Sequence, residues 1–190
     1  MKWQTLGDKL PKRRNPLAKL TGRSVFQWMG WRLEGELPNR SKMIVALVPH
    51  SSNIDFILTL AVMWGLGLKA KFMMKHTVFW FPLGNLLRAF GGIAVDRRAS
   101  QGLVEQMKAA FDSQRSLVLG ITPEGTRSGA ERFKSGFARI AAAAQVPILP
   151  AVIDYRTRTV RFAALIEDAT NLEQVMERIR LEAITGHARI

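Results

Sequence analysis

The stretch Met43-Ile44-Val45-Ala46-Leu47-Val48-Pro49-His50-Ser51-Ser52-Asn53-Ile54-Asp55 decides the fold of this chain. It begins with a short, unbroken apolar run containing β-branched side chains, which is typical of a buried strand. Pro49 ends that strand because proline cannot donate to a central ladder. The serines and Asn53 that follow suit a turn and a helix N-cap. The pattern therefore predicts a strand over 43–48, followed by a helix over 53–66.

His50 and Asp55 are the two residues of this stretch that can carry chemistry. Positions five apart on one helix point about 140° apart and meet poorly, because each residue turns by about 100°. The side chains can meet if His50 lies in the loop and Asp55 in the first helical turn. The carboxylate would then accept the Nδ1 proton and leave Nε2 free as a general base. Alternatively, His50 caps the helix and Asp55 is a solvated first-turn acid.

The rest of the chain alternates between apolar runs and amphipathic segments, which favours an α/β fold. Further strands are predicted over 32–37, 69–74, 91–95, 116–121 and 148–154, with an edge strand over 159–165. Further helices are predicted over 76–88, where Pro82 and Gly84 interrupt the pattern, and over 100–113, 133–144 and 172–184. We expect a single domain with a mixed central β-sheet flanked by helices.

Composition narrows the class of protein. The 190 residues and 47% hydrophobic content indicate one globular domain. The chain has no cysteine and only three scattered histidines, so we expect no disulfide, no thiolate nucleophile and no metal site. The net charge of +13 predicts an anionic partner: nucleic acid, anionic lipid or a phosphorylated substrate. No nucleic-acid-binding motif accompanies the charge, so we do not expect nucleic acid.

The N-terminal segment, residues 1–35, combines three tryptophans with many cations. Trp3, Trp28 and Trp31 occur among Lys2, Lys9, Lys12, Arg13, Arg14, Lys19, Arg23 and Arg32. This mixture predicts an anchor at an anionic membrane surface, whereas the alternative is an ordinary packed helix with a solvated basic face. The apolar runs at 56–68 and 78–95 are too short or too interrupted to span a bilayer, which needs about 20 residues. With no secretory signal pattern, we expect a peripheral or monotopic protein at the cytoplasmic face of the membrane.

Three basic residues directly follow predicted strands: Lys75, Arg97 and Arg127. If these strands share one sheet, the three cations converge with His50 and Asp55 at one edge, where ligands bind in open α/β sheets. An arginine guanidinium can hold a phosphate through two parallel hydrogen bonds. The placement therefore predicts an anion-binding site beside the histidine.

The loop at Thr122–Ser128 has a second possible interpretation. Gly120 and Gly125 have the spacing of a P-loop, but the P-loop lysine is absent and Glu124 would repel a phosphate held by the loop backbone. This excludes nucleotide hydrolysis. Alone, the loop is also compatible with a surface turn that carries a local ion pair.

Four ordered blocks resemble those of the glycerolipid acyltransferase family, which includes the bacterial 1-acylglycerol-3-phosphate acyltransferases. The blocks are His50-x-Ser52-x-x-Asp55, Gly91–Arg97, Pro123–Ser128 and Val146–Pro150. The resemblance covers roughly residues 43–155. It implies a glycerol-3-phosphate acyltransferase-like fold, with residues 36–190 as the acyltransferase domain that follows residues 1–35.

The resemblance also implies a reaction and its residues. An acyl group would pass from acyl-CoA or acyl carrier protein to a hydroxyl of a lysophospholipid such as 1-acyl-glycerol-3-phosphate, with the thioester as co-substrate and no other cofactor. His50 would be the general base and Asp55 its orienting partner. The acceptor phosphate would be bound by Lys75, Arg97, Glu124, Gly125, Thr126 and Arg127.

Three residues depart from the family pattern. Pro49, Thr122 and Ala151 stand where Asn, Phe and Val are common in the family. Because these positions lie near the acceptor and acyl sites, they leave open an acceptor that is not a glycerophosphate, such as an amino-acid lipid or a glycolipid. An inactive basic membrane-binding module is the remaining alternative.

Overall fold

A seven-stranded β-sheet with helices on both faces forms the protein. The structure, a computed structural model, describes residues 3–49, 52–95, 100–123 and 133–186. The strands are β1 (Arg32–Glu34), β2 (Lys42–Val48), β3 (Lys71–Lys75), β4 (Gly92–Val95), β5 (Leu117–Ile121), β6 (Ile148–Asp154) and β7 (Thr159–Phe162). The helices are α1 (Pro16–Trp28), α2 (Asn53–Leu66), α3 (Leu83–Ala89), α4 (Ser100–Ser113), α5 (Gly136–Ala144) and α6 (Leu172–Thr185), with a 3₁₀ turn at His76–Val78.

The sheet has the strand order β1-β7-β6-β2-β5-β3-β4. Strands β2 to β6 run parallel, whereas β7 is antiparallel to β6 and pairs in parallel with β1. The predicted mixed sheet is therefore confirmed. The predicted strand over 159–165 is present as β7 (Thr159–Phe162), but its predicted edge position is wrong, because β7 is paired on both sides and β1 forms the edge. Strand neighbours are set by contacts distant in sequence, which the local pattern of 159–165 does not encode.

Strand β2 shows how the sheet separates two apolar layers. Met43, Val45 and Leu47 belong to an apolar cluster with side chains of α1 and α2, and the alternate residues Ile44 and Ala46 belong to a second cluster with side chains of α4, α5 and α6. This alternation follows from the two-residue period of a strand. Because both layers are apolar, β2 is apolar throughout, which explains its unbroken hydrophobic run.

The layer of α1 and α2 is called the front layer here. It includes the end of α3, since Phe90 packs edge-on against Trp64 of α2 with ring centroids 5.1 Å apart. The N-terminal segment contributes to this layer, with Phe26 completely buried and Leu10 nearly so. Within the described ranges, no helix has both the length and the apolar content to cross a bilayer.

Helices α1 and α2 approach closely at Gly22. A Cβ atom at this position would lie 2.5 Å from the backbone nitrogen of Gly65 and 2.7 Å from the carbonyl oxygen of Ala61. Arg23 strengthens the crossing, because its Nε donates a hydrogen bond of 2.9 Å to the Gly65 carbonyl. Glycine at position 22 therefore lets the two backbones meet.

We expect Gly22→Ala to destabilise the protein by about 1–3 kcal/mol, because overpacking of this size outweighs the gain in helix propensity. The matched control is Gly102→Ala in α4, where a Cβ atom would meet nothing within 4 Å. That variant should be stabilised by up to about 1 kcal/mol. Urea unfolding of both variants measures the difference, and equal stability of the two would contradict the close crossing.

Candidate active site

The carboxyl ends of the parallel strands meet at one edge of the sheet. Strand β2 ends at Val48, β3 at Lys75, β4 at Val95, β5 at Ile121 and β6 at Asp154. The strands that precede the predicted site residues in the sequence therefore end at a common edge of the sheet. Ligands bind at this edge in open α/β folds. This edge is called the carboxyl edge below.

Asp55 occupies the third position of α2, as predicted. Ser52 is the N-cap, and its Oγ accepts a hydrogen bond of 3.2 Å from the Ile54 backbone N–H. The Ser52 backbone N–H in turn donates to Asp55 Oδ2 at 2.8 Å. This capping box fixes the carboxyl group in the first turn of the helix.

The carboxyl group of Asp55 is completely buried, at 0% exposure. The alternative of a solvated first-turn acid is therefore wrong, because the side chain is buried and hydrogen-bonded within the protein. The Tyr155 hydroxyl donates a hydrogen bond to Asp55 Oδ1 with an O-to-O distance of 2.5 Å. Each oxygen of the buried carboxyl group thus accepts a hydrogen bond, as burial of such a group requires.

Tyr155 is a site residue that the sequence analysis missed. It directly follows β6, and its ring packs edge-on against Trp31 with centroids 4.9 Å apart. It is the only tyrosine in the sequence. The rule that singled out Lys75, a polar group just past a buried strand, would also have found Tyr155.

Lys75 is the last residue of β3 and is exposed. Strand β3 lies between β5 and β4, so Lys75 stands between the two strand ends that precede residues 96–99 and 124–132. A cation is therefore present at the carboxyl edge, between the ends of β5 and β4. This position agrees with the predicted convergence, although the role of Lys75 stays a prediction.

The other six predicted site residues all lie outside the described residues: His50, Arg97, Glu124, Gly125, Thr126 and Arg127. Their roles stay predictions. The described residues that precede them, Pro49, Val95 and Pro123, follow or end β2, β4 and β5 at the carboxyl edge.

An apolar cavity of about 560 Å³ lies between α2 and the front side of the sheet. At the carboxyl edge it is lined by Lys75 and Thr122, and at the far end of α2 by Leu66, Leu68 and Ala70. The 14 residues of α2 correspond to a length of about 21 Å, at about 1.5 Å per residue. The cavity is therefore long and apolar, and its lining along α2 begins at Phe56, the residue after Asp55.

Comparison with known proteins agrees with this geometry. The Acyltransferase family model matches residues 31–154, so the chain belongs to the Acyltransferase family. It is 33% identical over 118 residues to the 1-acyl-sn-glycerol-3-phosphate acyltransferase of Limnanthes alba, covering 59% of this chain and 41% of that protein. It is 30% identical over 147 residues to the protein of the same name from Cocos nucifera, covering 73% of this chain and 46% of that protein. The matches thus span less than half the length of these relatives.

A solved structure shares the fold. The crystal structure of the 1-acyl-sn-glycerophosphate (LPA) acyltransferase PlsC from Thermotoga maritima aligns with a TM-score of 0.57 and 21% identity. The alignment covers 91% of this chain and 80% of that chain. The family resemblance and the α/β fold class predicted from the sequence are both confirmed.

Proposed function

We propose that this protein is an O-acyltransferase that moves a fatty acyl group from a thioester to a hydroxyl of a lysophospholipid such as 1-acyl-glycerol-3-phosphate. The observation that carries the proposal is the pairing of a buried, hydrogen-bonded Asp55 with a long apolar cavity at the same edge of the sheet. The carboxyl group would serve the proton transfer, and the cavity would hold an acyl chain. The names of the relatives support the same class of substrate.

The reaction is a single displacement at the thioester carbonyl. His50 removes the proton of the acceptor hydroxyl through Nε2, and the oxygen forms the new C–O bond as the C–S bond breaks. The departing thiolate of coenzyme A or of acyl carrier protein then takes the proton from the imidazolium. The step needs no covalent acyl-enzyme, which fits a sequence without cysteine.

Asp55 orients His50 in this proposal. A carboxylate that accepts the Nδ1 proton holds the imidazole in the tautomer whose Nε2 is a base, and it stabilises the imidazolium formed during the reaction. Two described hydrogen bonds, from the Ser52 N–H and the Tyr155 hydroxyl, support a fixed position for that carboxylate. Tyr155 acts here as a positioning residue.

The acceptor phosphate binds to cations at the carboxyl edge. We assign this role to Lys75, Arg97 and Arg127, with Glu124, Gly125 and Thr126 shaping the loop around the phosphate. The position of Lys75 at the end of β3 supports this assignment. Arginine is suited to such a site because its fork binds phosphate oxygens in pairs.

We place the enzyme at the cytoplasmic face of an anionic membrane, as a peripheral or monotopic protein. Its net charge of +13 supports this location, because the anionic headgroups of the bilayer attract cations. The substrates are lipids, so the enzyme must meet them at a membrane surface. The thioester is the co-substrate, and the proposed step requires no further cofactor and no metal.

The direct test is to incubate the purified protein with acyl-CoA or acyl carrier protein thioester and a panel of lysolipids, and to measure product mass. A product whose mass equals that of 1-acyl-glycerol-3-phosphate with one added acyl group supports the proposal. Vesicle binding with no thioester consumed by any acceptor would instead indicate an inactive membrane-binding module.

A different substrate, with another acyl chain or another acceptor, is the second candidate, and one observation favours it. Thr122 and Ala151, two of the three departures from the family pattern, both line the cavity. Their substitution for larger family residues changes the shape of the proposed substrate site. The panel should therefore include amino-acid lipids and glycolipids beside the lysophospholipids.

The cavity makes a prediction about acyl-chain length. Ala70 lines its far end, so Ala70→Leu should shift the preferred donor to a shorter acyl chain. Gly120 lines the cavity one residue before β5 ends at the carboxyl edge, and a Cβ atom there would meet nothing closer than 3.6 Å. Gly120→Leu should therefore lower transfer of every long chain.

Competition between donors of different length, scored by product mass, measures this preference. Gly120→Ala is the graded control, because one methyl group adds little volume. Unfolding curves of each variant identify any loss caused by overpacking, which costs about 1–3 kcal/mol. An unchanged chain-length profile in folded Ala70→Leu would exclude the cavity as the acyl site.

A further inference from the structure

Seven of the nine exposed large apolar side chains in the described residues belong to α1 or to the chain from α2 to α3. Leu17, Leu20 and Trp28 of α1 are exposed, as are Ile57, Trp80, Phe81 and Leu86 in the chain between the start of α2 and the end of α3. In the described residues, the other exposed large hydrophobic side chains are Leu181 and Ile184, both on α6 behind the sheet. Exposed apolar side chains gathered in this way mark an interaction surface.

Outside α1, the most exposed of these side chains belong to the turn before α3. Trp80 is 61% exposed and Phe81 is 82% exposed. The preceding Phe79 is held in place, because Arg88 lies over its ring at 5.2 Å and Gly84 packs against its backbone. The Gly84 N–H also donates to the Trp80 carbonyl at 2.6 Å. The turn is thus fixed by local contacts while two aromatic rings point away from the protein.

The segments that carry these side chains have charges that are almost all positive. Among residues 3–31 and 52–95 the acids are Asp8 and Asp55, and Asp55 is buried. The same ranges contain ten cations: Lys9, Lys12, Arg13, Arg14, Lys19, Arg23, Lys69, Lys71, Lys75 and Arg88. A surface that combines exposed aromatic rings with such an excess of cations complements an anionic bilayer rather than another protein of ordinary charge.

This surface also borders the proposed acyl site. Ile57 is half exposed and lines the cavity, and Val78, two residues before Trp80, lines it as well. An acyl chain that leaves a bilayer at the Trp80–Phe81 turn would therefore enter the cavity without crossing water. Lys75, at the end of β3, lies on the same wall.

We propose that the outer side of α1 and the Trp80–Phe81 turn form one docking surface for an anionic phospholipid bilayer. The two rings of the turn insert at the boundary between headgroups and acyl chains, and the cations contact the headgroups. The proposal deepens the proposed function, on whose membrane location it rests. It adds a membrane contact made by Trp80 and Phe81, which are distant in sequence from the N-terminal segment.

The test is flotation of the full chain with vesicles of phosphatidylglycerol and phosphatidylcholine, and with vesicles of phosphatidylcholine alone. The double variant Trp80→Ser/Phe81→Ser should lose vesicle binding by about tenfold or more, since two large apolar side chains no longer insert. The matched control is Leu181→Ser/Ile184→Ser, which removes two exposed apolar side chains from α6. It should bind like the unaltered protein.

Salt and the neutral vesicles test the electrostatic part. Binding of the unaltered protein should fall when salt is raised and should be weak on phosphatidylcholine alone. Equal losses in the two double variants, or none in either, would overturn the proposal. So would unchanged vesicle binding combined with a changed oligomeric state of Trp80→Ser/Phe81→Ser, which would identify a protein–protein surface.

Turnover separates this proposal from the catalytic one. Trp80→Ser/Phe81→Ser should lose activity on acceptors embedded in vesicles but keep activity on a short-chain acceptor dissolved as monomers. Vesicle binding that depends on the turn, in a protein without turnover on any acceptor, would keep the docking surface and exclude the acyltransferase. Full turnover by a protein that does not bind vesicles would keep the acyltransferase and exclude the docking surface.

Discussion

Asp55→Asn will lower kcat for acyl transfer by about 10²–10⁴-fold, because a general base that loses its orienting carboxylate loses most of the factor it contributes. The amide carries a donor group where the carboxyl group has two acceptor oxygens. One oxygen accepts from the Ser52 N–H and the other from the Tyr155 hydroxyl, so one of these buried donors must lose its partner. In the proposed pairing with His50, the amide N–H₂ also favours the wrong tautomer of the imidazole.

His50→Ala should lower kcat by a similar factor, and the double variant should be little worse than either single one. Residues that act as a unit show such non-additivity. Stopped assays with radiolabelled thioester measure the rates, and circular dichroism confirms folding. Turnover at the unaltered rate in folded His50→Ala would exclude the general-base role.

Ser52→Ala is the matched control for the helix cap. It removes the Oγ atom that accepts from the Ile54 N–H but keeps the backbone N–H that donates to Asp55. We expect a loss of about 1 kcal/mol in stability, typical of a lost N-cap, with a rate close to that of the unaltered protein. A rate loss as large as that of Asp55→Asn would assign the effect to the helix start rather than to the carboxylate.

Tyr155→Phe should lower kcat by about tenfold and leave KM nearly unchanged. A hydrogen bond to a charged group contributes about 1.5–3 kcal/mol, and we expect part of this energy to hold the carboxylate in position during the reaction. Phenylalanine keeps the aromatic ring that packs on Trp31, so the substitution removes only the hydroxyl. The rate effect should therefore appear in a folded protein, beside a loss of about 1–3 kcal/mol in stability from the buried carboxylate oxygen that loses its donor.

A double-mutant cycle tests whether Tyr155 affects the rate through Asp55. In the Asp55→Asn background, Tyr155→Phe should cost little further rate, because the hydroxyl acts through the carboxylate. Fully additive losses, or a rise in KM with kcat unchanged, would show that Tyr155 acts elsewhere. A purely structural role would lower the unfolding midpoint and leave the kinetic coupling at zero.

The local sequence pattern predicted the strand and the helix start that position Asp55. The apolar run of 43–48, the proline that ends it and the capping residues before Asp55 were each readable, and the structure has β2 and α2 at these places. These features depend on backbone propensities and hydrogen bonds between residues three or four apart. The same holds for the order of strands and helices, apart from their exact ends.

The tertiary structure alone decided what surrounds that site. Tyr155 meets Asp55 across 100 residues of sequence, and β7 lies inside the sheet between β1 and β6. The cavity exists only because α2 packs at a particular height above the sheet. Such features arise from contacts between distant segments, whose partners are selected by the packing of the whole chain, so no short stretch of sequence contains them.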